Sequence, residues 1–234
     1  MNPIVHNEMK PSAKTTSKRA RRSDGDATRA RILESAGDLF AKHGFAETTS
    51  KTVAAAAQVD LASINYHFGS RDGLYQAVLI EAHRRFISLA DLQAIGEAKR
   101  PAEEKLRSLI EALVGKRSST TPWSVRVLLR ELSAPSSHII VLVDNEVRPK
   151  LSVILSILSE ITGIPVGQPA LFYCFVSVAA PCAVLVLSGN HVAPIAEGVA
   201  TDDASVLAAH LHGFAMGGLK AAGQAYETGK ARLR

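Results

Sequence analysis

A chain of 234 residues has room for one large domain or two small ones, each burying its own core. Its hydrophobic content of 47%, aromatic content of only 5% and lack of strand-like alternation exclude a disordered or β-rich protein and predict an all-α fold. A net charge of +5 and a pI near 9.3 suit an acidic partner, without separating nucleic acid from a membrane surface.

Residues 1–25 are polar, proline-containing and aperiodic. Lys10, Lys14, Lys18, Arg19, Arg21 and Arg22 face only Glu8 and Asp24. Such a stretch buries too little apolar surface to order itself and is read as a disordered basic arm. It is either a solvated tail or an arm laid on phosphates or in an adjacent minor groove. From Ala27 to His43 the period turns helical, with Ile32, Leu33, Ala36, Leu39 and Phe40 on one side and Gly44 as the stop. Arg29 and Arg31 lie early in that helix, within reach of a phosphate, and Phe45 is expected to fold back onto it.

Thr48 to Leu74 reads as helix, tight turn, helix, and the capped start of another helix. Thr49 is an N-cap for Ser50–Ala57, whose inward residues Val53, Ala54 and Ala57 let another helix approach. Gln58-Val59-Asp60 makes the turn, with Val59 as its plug and Asp60 as cap for Leu61–His67. Ile64 faces inward and Phe68 closes the same side. The other face carries Leu61, Ala62, Ser63, Asn65, Tyr66 and His67, short or hydrogen-bonding groups without negative charge. Ser70 caps the next helix and Arg71 opens it. This is a helix-turn-helix pattern, although the same spacing also describes a solvated helical hairpin in an all-α enzyme or scaffold.

AGDLFAKHGFAETT, the turn, YHF and SRDGLY together resemble the DNA-binding domain of the TetR family of bacterial transcriptional regulators, from Thr28 to about Leu79. INYHFGSRDGLY is similar to the branch that includes the CerR-type regulators. Gln58 stands where the family usually has glycine, and Asn65 where tyrosine is commoner. The resemblance implies that Ser50, Ser63, Tyr66, His67 and Arg71 touch the DNA backbone. Lys51, Leu61, Ala62 and Asn65 are then the base readers: lysine suits guanine acceptors, asparagine suits adenine, and alanine or leucine meets a thymine methyl. The implied division is a helix-turn-helix domain over 26–72 and a helical ligand-sensing and dimerisation domain over 73–234.

Leu74, Val78, Leu79, Ala82, Phe86, Leu89 and Leu92 predict one long helix from Arg71 to about Ala98, bending near Gly96. In the family, displacement of this connecting helix links effector binding to release of DNA. Pro101 starts a helix to Val114, Lys116–Thr121 is a polar loop, and Pro122 starts another with Trp123, Val127, Leu128 and Leu132 inward. His138–Ile161 is apolar, and Pro149 is expected to kink or split it.

Gln168–Leu187 is the most hydrophobic run. It nears bilayer-spanning length, but Pro181, Ser177 and the missing basic flanks argue against a membrane, and an all-round apolar helix also suits a dimer centre. Cys174 and Cys182 lie eight residues apart on it, too far for a disulfide. With no signal or lipidation motif in view, a cytoplasmic location with both thiols buried is expected. Asn190–Asp203 reads as a loop and Ala204–Tyr226 as the last helix. Gly213, Gly217 and Gly218 in that helix fit close packing against another backbone. TetR-like proteins dimerise through their last two long helices, which implies a homodimer on a roughly palindromic operator in double-stranded DNA.

No two histidines share a helical face at metal-ligand spacing. His210 and His212 point to different sides and read as partly exposed polar groups. No phosphate loop or nucleophile elbow is present, so no enzyme, cofactor or metal is expected. For a small-molecule effector the candidate wall residues are Trp123, Phe172, Cys174 and Phe175, with Arg126, Arg130 or His138 as polar contacts. Each is equally at home in ordinary core or interface packing.

Overall fold

The computed structural model describes residues 14–115, 121–188 and 203–232. In chain order the helices are α1 (Lys14–Glu47), α2 (Ser50–Ala57), α3 (Leu61–Phe68), α4 (Arg71–Phe86), α5 (Leu89–Glu97), α6 (Ala102–Val114) and α7 (Trp123–Ser133). There follow α8 (Ile139–Leu142), a π-helical stretch (Val143–Val147), α9 (Arg148–Thr162), α10 (Pro169–Ser188) and α11 (Ala204–Arg232). No strand occurs among the described residues, in accord with the all-α expectation.

The backbone is already helical at Lys14, inside the stretch expected to be a disordered arm. Lysine, arginine and alanine are good helix formers, and here they extend a helix nucleated downstream, where each residue adds a hydrogen bond without the nucleation cost. Residues 1–13 lie outside the described residues. α1 breaks at Gly44, whose φ of 81° is left-handed. A side chain there would also meet the Arg130 guanidinium, with Cβ only 2.7 Å from Nε.

Two apolar cores organise the chain. The first gathers Ile32, Phe40, Val53, Ile64, Leu74 and Val78 from α1–α4, and also admits Trp123 and Val127 of α7 and Leu142 of α8. The second joins α5, α6, α9, α10 and α11 around Leu92, Leu106, Ile110, Leu158, Leu171 and Leu219. α7 is thus the wedge through which the body of the protein enters the core of its head. Leu132, expected inward, is instead 72% exposed at the end of that helix.

The long connecting helix expected from Arg71 is two helices. α4 ends at Phe86, Ile87 is extended and buried, and the Ser88 hydroxyl caps α5 by accepting from the Asp91 amide at 3.0 Å. The apolar period runs on across the break because Ile87 and Leu92 enter the second core. The interruption expected at Pro149 is present: the α-helical ladder stops at Leu142, a π-helical stretch follows over Val143–Val147, and α9 starts at Arg148 with Pro149 in its first turn, where the ring's missing donor costs least.

α10 turns Leu171, Cys174 and Cys182 into the second core, buries Val186, and leaves Phe172, Tyr173, Val176 and Val184 exposed. Burial pushes both thiols above their usual range. Pro169–Val186 is long and apolar enough to cross a membrane by length and composition. α11 continues past Tyr226 to Arg232. The expected loops over 116–121 and 190–203 fall almost wholly outside the described residues.

Candidate nucleic-acid interface and the seam behind it

The head is assembled from local caps. The Thr49 hydroxyl accepts from the Thr52 amide and the Thr52 hydroxyl from the Thr49 amide, both at 3.1 Å, so two orphan donors of α2 are satisfied at once. α2 ends on Gln58 in the left-handed region (φ 53°, ψ 48°), where a Schellman-type reversal sends Val59 N–H back to the Ala54 carbonyl at 3.0 Å. Gln58 is the one non-glycine residue with positive φ among the described residues. Asp60 then caps α3, its Oδ1 accepting from the Ser63 amide at 2.7 Å and the Ser63 hydroxyl at 2.5 Å. Those bonds hold the Asp60 carboxyl below its usual range. Ser70 Oγ accepts from the Gly73 amide at 3.0 Å to start α4.

Ile64 is fully buried, and Val59 and Phe68 pack against the first core, so α3 has a fixed inner side. Its outer side presents Leu61, Ala62, Asn65 and Tyr66 to solvent, with Tyr66 85% exposed. Ser63 and His67 are half-buried at the margin, and the His67 ring meets Tyr66 edge-on at 4.9 Å. On α2, Lys51 is exposed and Ser50 is half-buried in the first turn. Arg71 is more constrained than expected. Its guanidinium lies 4.2 Å from the Phe45 ring centroid and 3.5 Å from the Thr48 carbonyl, which fixes its charge beside α2. Arg29 of α1 lies over Phe68 at 5.2 Å. Of the nine residues expected at DNA, Lys51, Leu61, Ala62, Asn65 and Tyr66 are exposed and Ser50, Ser63, His67 and Arg71 half-buried, all on α2, α3 or the first turn of α4.

Behind the head, a seam of polar contacts fastens it to α7 and α8. Trp123 Nε1 donates to Glu34 at 2.8 Å, while Arg85 bonds Glu34 and stacks 4.8 Å from the Trp123 ring. The hydrogen bond from Arg85 is the main reason the Glu34 carboxyl sits below its usual range. Trp123 lies so close to α1 that a Cβ on Gly37 would come within 2.4 Å of the indole. Further along, Tyr75 donates to the buried Glu131 at 2.8 Å, and the same carboxylate accepts from the Ser136 amide at 2.8 Å and hydroxyl at 2.7 Å. Burial, then the Glu131 carboxylate, drives the Tyr75 phenol far above its usual range. Ser136 Oγ contacts His138 Nδ1 at 3.1 Å, and His138 Nε2 reaches Asp72 at 2.9 Å, in the first turn of α4.

The residues proposed for an effector wall are not brought together. Trp123 and His138 belong to this seam. Arg126 is exposed and pairs with Asp38 at 3.3 Å, and exposed Arg130 covers Gly44. On α10, Phe172 points outward, Cys174 enters the second core, and Phe175 lines a small cavity of about 140 Å³. Sequence reasoning missed a buried group on the body side. Lys150 Nζ lies 2.8 Å from Glu146 and 2.8 Å from His83 Nδ1, and Arg84 Nε lies 2.6 Å from the other Glu146 oxygen. The readable signal was Glu146 and Lys150 at i,i+4 spacing, beside Asp144 and Arg148 at the same spacing. His212 is also buried, its Nε2 3.0 Å from the Glu103 carbonyl, rather than partly exposed.

A capped helix-turn-helix head locked onto a larger helical body defines a class, that of all-helical transcriptional regulators. Residues 32–78 match the family described as bacterial regulatory proteins, tetR family, and residues 100–219 match the C-terminal domain of the HTH-type transcriptional dual regulator CecR. The chain belongs to the TetR family, with a C-terminal domain of the CecR type, the branch anticipated above as CerR-type.

The probable HTH-type transcriptional regulator YttP of Bacillus subtilis is 29% identical over 84 residues, 36% of this chain and 41% of that protein. The match therefore spans less than half of that relative. Among solved structures, the fatty acid degradation regulator FadR from Bacillus halodurans superposes with a TM-score of 0.61 at 18% identity, covering 82% of this chain and 96% of that one. FadR from Bacillus subtilis, solved in complex with stearoyl-CoA, gives 0.60 at 15% identity, covering 80% and 97%. At such identities the likeness is one of fold.

Proposed function

We propose that the chain is a dimeric, cytoplasmic transcriptional repressor that binds a roughly palindromic operator and releases it when a small molecule enters the body. The observation that carries this reading is the outer side of α3, exposed from Leu61 to Tyr66 while Ile64 anchors the helix from within. No acidic residue lies on α3, and Lys51 and Arg71 flank it with positive charge. Lys51, Leu61, Ala62 and Asn65 face base edges, while Ser50, Ser63, Tyr66, His67 and Arg71 position the backbone. One α3 reads few bases, so two copies in successive major grooves are needed.

The exposed apolar sides of α10 and α11 support pairing of two copies. Phe172, Tyr173 and Phe214 stand in solvent, and Gly213, Gly217 and Gly218 leave open space above the helix backbone. Release is supported by the path of α4, which runs from Arg71 beside α2 to His83 and Phe86 on a cavity wall. α7 lines that same cavity with Leu128 and Leu129 while holding Trp123 in the head core. An occupant that parts α4 from α7 strains the Tyr75–Glu131 and Trp123–Glu34 bonds and turns the head. The fold neighbour solved with stearoyl-CoA supports ligand binding in a body of this kind.

Fluorescence anisotropy with the DNA flanking the chain's own gene tests the reading. Binding that weakens steeply with salt, and an Asn65→Ala variant losing about 1–3 kcal/mol of discrimination, are expected. Absence of any binding at low salt overturns it. The matched CecR family is described as a dual regulator, which favours activation at some promoters as a second reading; a reporter fused to each bound promoter separates the two.

A further inference from the structure

A cavity of about 350 Å³ lies between α4, α7, α8 and the π-helical stretch, walled by Phe86, Leu128, Leu129, Ile139 and Val143. Its volume lies at the small end of the range for ligand sites. The cavity of about 140 Å³ beside it shares His83, Phe86 and Val147. Among the described residues three chargeable side chains reach these walls, namely His83, Glu131 and Lys150.

Two of the three are already committed. The Glu131 oxygens accept three hydrogen bonds, from Tyr75 and from the Ser136 amide and hydroxyl. The Lys150 ammonium has an acceptor for each of its three hydrogens: Glu146 at 2.8 Å, His83 Nδ1 at 2.8 Å and the His83 carbonyl at 3.2 Å. An ammonium is donor only, so His83 Nδ1 must be the acceptor, and the ring proton of the neutral imidazole resides on Nε2. Burial and the neighbouring Lys150 charge hold His83 down to about 4, so the ring is uncharged at neutral pH. Its Nε2–H meets no acceptor among the described residues.

We infer that the cavity takes a neutral, mainly apolar small molecule whose hydrogen-bond acceptor, such as a carbonyl oxygen, seats on His83 Nε2–H. This rests on the effector-responsive reading above and specifies its chemistry. An anion finds the Lys150 charge already matched by Glu146 and meets the Glu131 charge on the same wall. A cation is drawn by the Glu131 charge, but three hydrogen bonds from Tyr75 and Ser136 already stabilise that carboxylate and leave it about one open lone pair. An anion loses its hydration against hydrocarbon without a compensating partner and a cation with only that partial one, whereas a neutral acceptor gives up little hydration and satisfies the open donor on His83.

Isothermal titration calorimetry on the full chain with 2-decanone, sodium decanoate and decylamine tests this. The ketone is expected to bind saturably, one per protomer, about tenfold or more tighter than either ion. His83→Leu is expected to weaken the ketone by about three- to tenfold, and Leu128→Trp, which fills the cavity, to abolish binding. Tighter binding of decanoate or of decylamine overturns the inference, as does failure of the ketone to bind. These comparisons use the unaltered chain, so they hold even where a variant fails to fold. Operator binding by the same preparation judges the regulator reading separately: a chain that grips DNA but ignores the ketone loses only the ligand chemistry.

Discussion

Gln58 occupies a backbone conformation that costs an L-residue roughly 1–2 kcal/mol and glycine very little. Gln58→Gly is therefore expected to raise stability by about 1 kcal/mol, seen as a higher urea midpoint at unchanged m. The departure from the family's glycine was legible in the sequence, as were the caps Thr49, Asp60 and Ser70, because each acts within three residues of itself. His83 was not legible, since its partner Lys150 lies 67 residues away. Its folded value of about 4 lies below the ordinary 6.5. As pH falls, the unfolded chain takes up this proton before the folded one does. The stability due to neutral His83 is full above pH 6.5 and drains away toward pH 4, at up to about 1.4 kcal/mol per pH unit inside that window. Urea unfolding at pH 7 and 4.5 is expected to show a shallower loss for His83→Gln, which stays neutral throughout.

At the scale of elements, periodicity placed α2, α3, α6, α7 and α10 nearly to the residue but merged α4 with α5. The merger is physical in origin: apolar spacing reports which side is buried, and both helices bury the side that the pattern tracks. Only the Ser88 cap distinguishes two helices from one. The role of α7 was also hidden, because sequence assigns a residue to a side, not to a partner, and nothing local says that Trp123, Val127 and Leu128 pack into the head core. Trp123 joins the head core and donates to Glu34, so Trp123→Ala is expected to cost about 3–5 kcal/mol by circular dichroism. Trp123→Phe keeps most of the packing and loses the indole hydrogen bond, leaving a cost nearer 1–2 kcal/mol. A Trp123→Ala chain that unfolds at the unaltered midpoint contradicts the wedge.

For the whole molecule, the paired arrangement proposed above makes the side left open by α10 and α11 decide how two heads are spaced. Phe214 is 75% exposed there, so Phe214→Glu places a charge where two copies are to meet while leaving each copy's own core untouched. Sedimentation is expected to shift from dimer to monomer, with operator affinity falling at least about a hundredfold as the second half-site is lost. A monomeric unaltered protein that still binds a full operator contradicts the paired arrangement. The ligand-wall candidates scattered for a related reason: aromatic and basic residues mark burial and charge, and only the fold decides which helices enclose a space together.

Trp123 is the only tryptophan in the chain, and it stands where α1, α4 and α7 converge. Its intrinsic emission is therefore a built-in optical gauge of the joint. If the proposed release opens head from body, water reaches the indole and its spectrum shifts red, so that step can be timed in a stopped-flow instrument without attaching any dye.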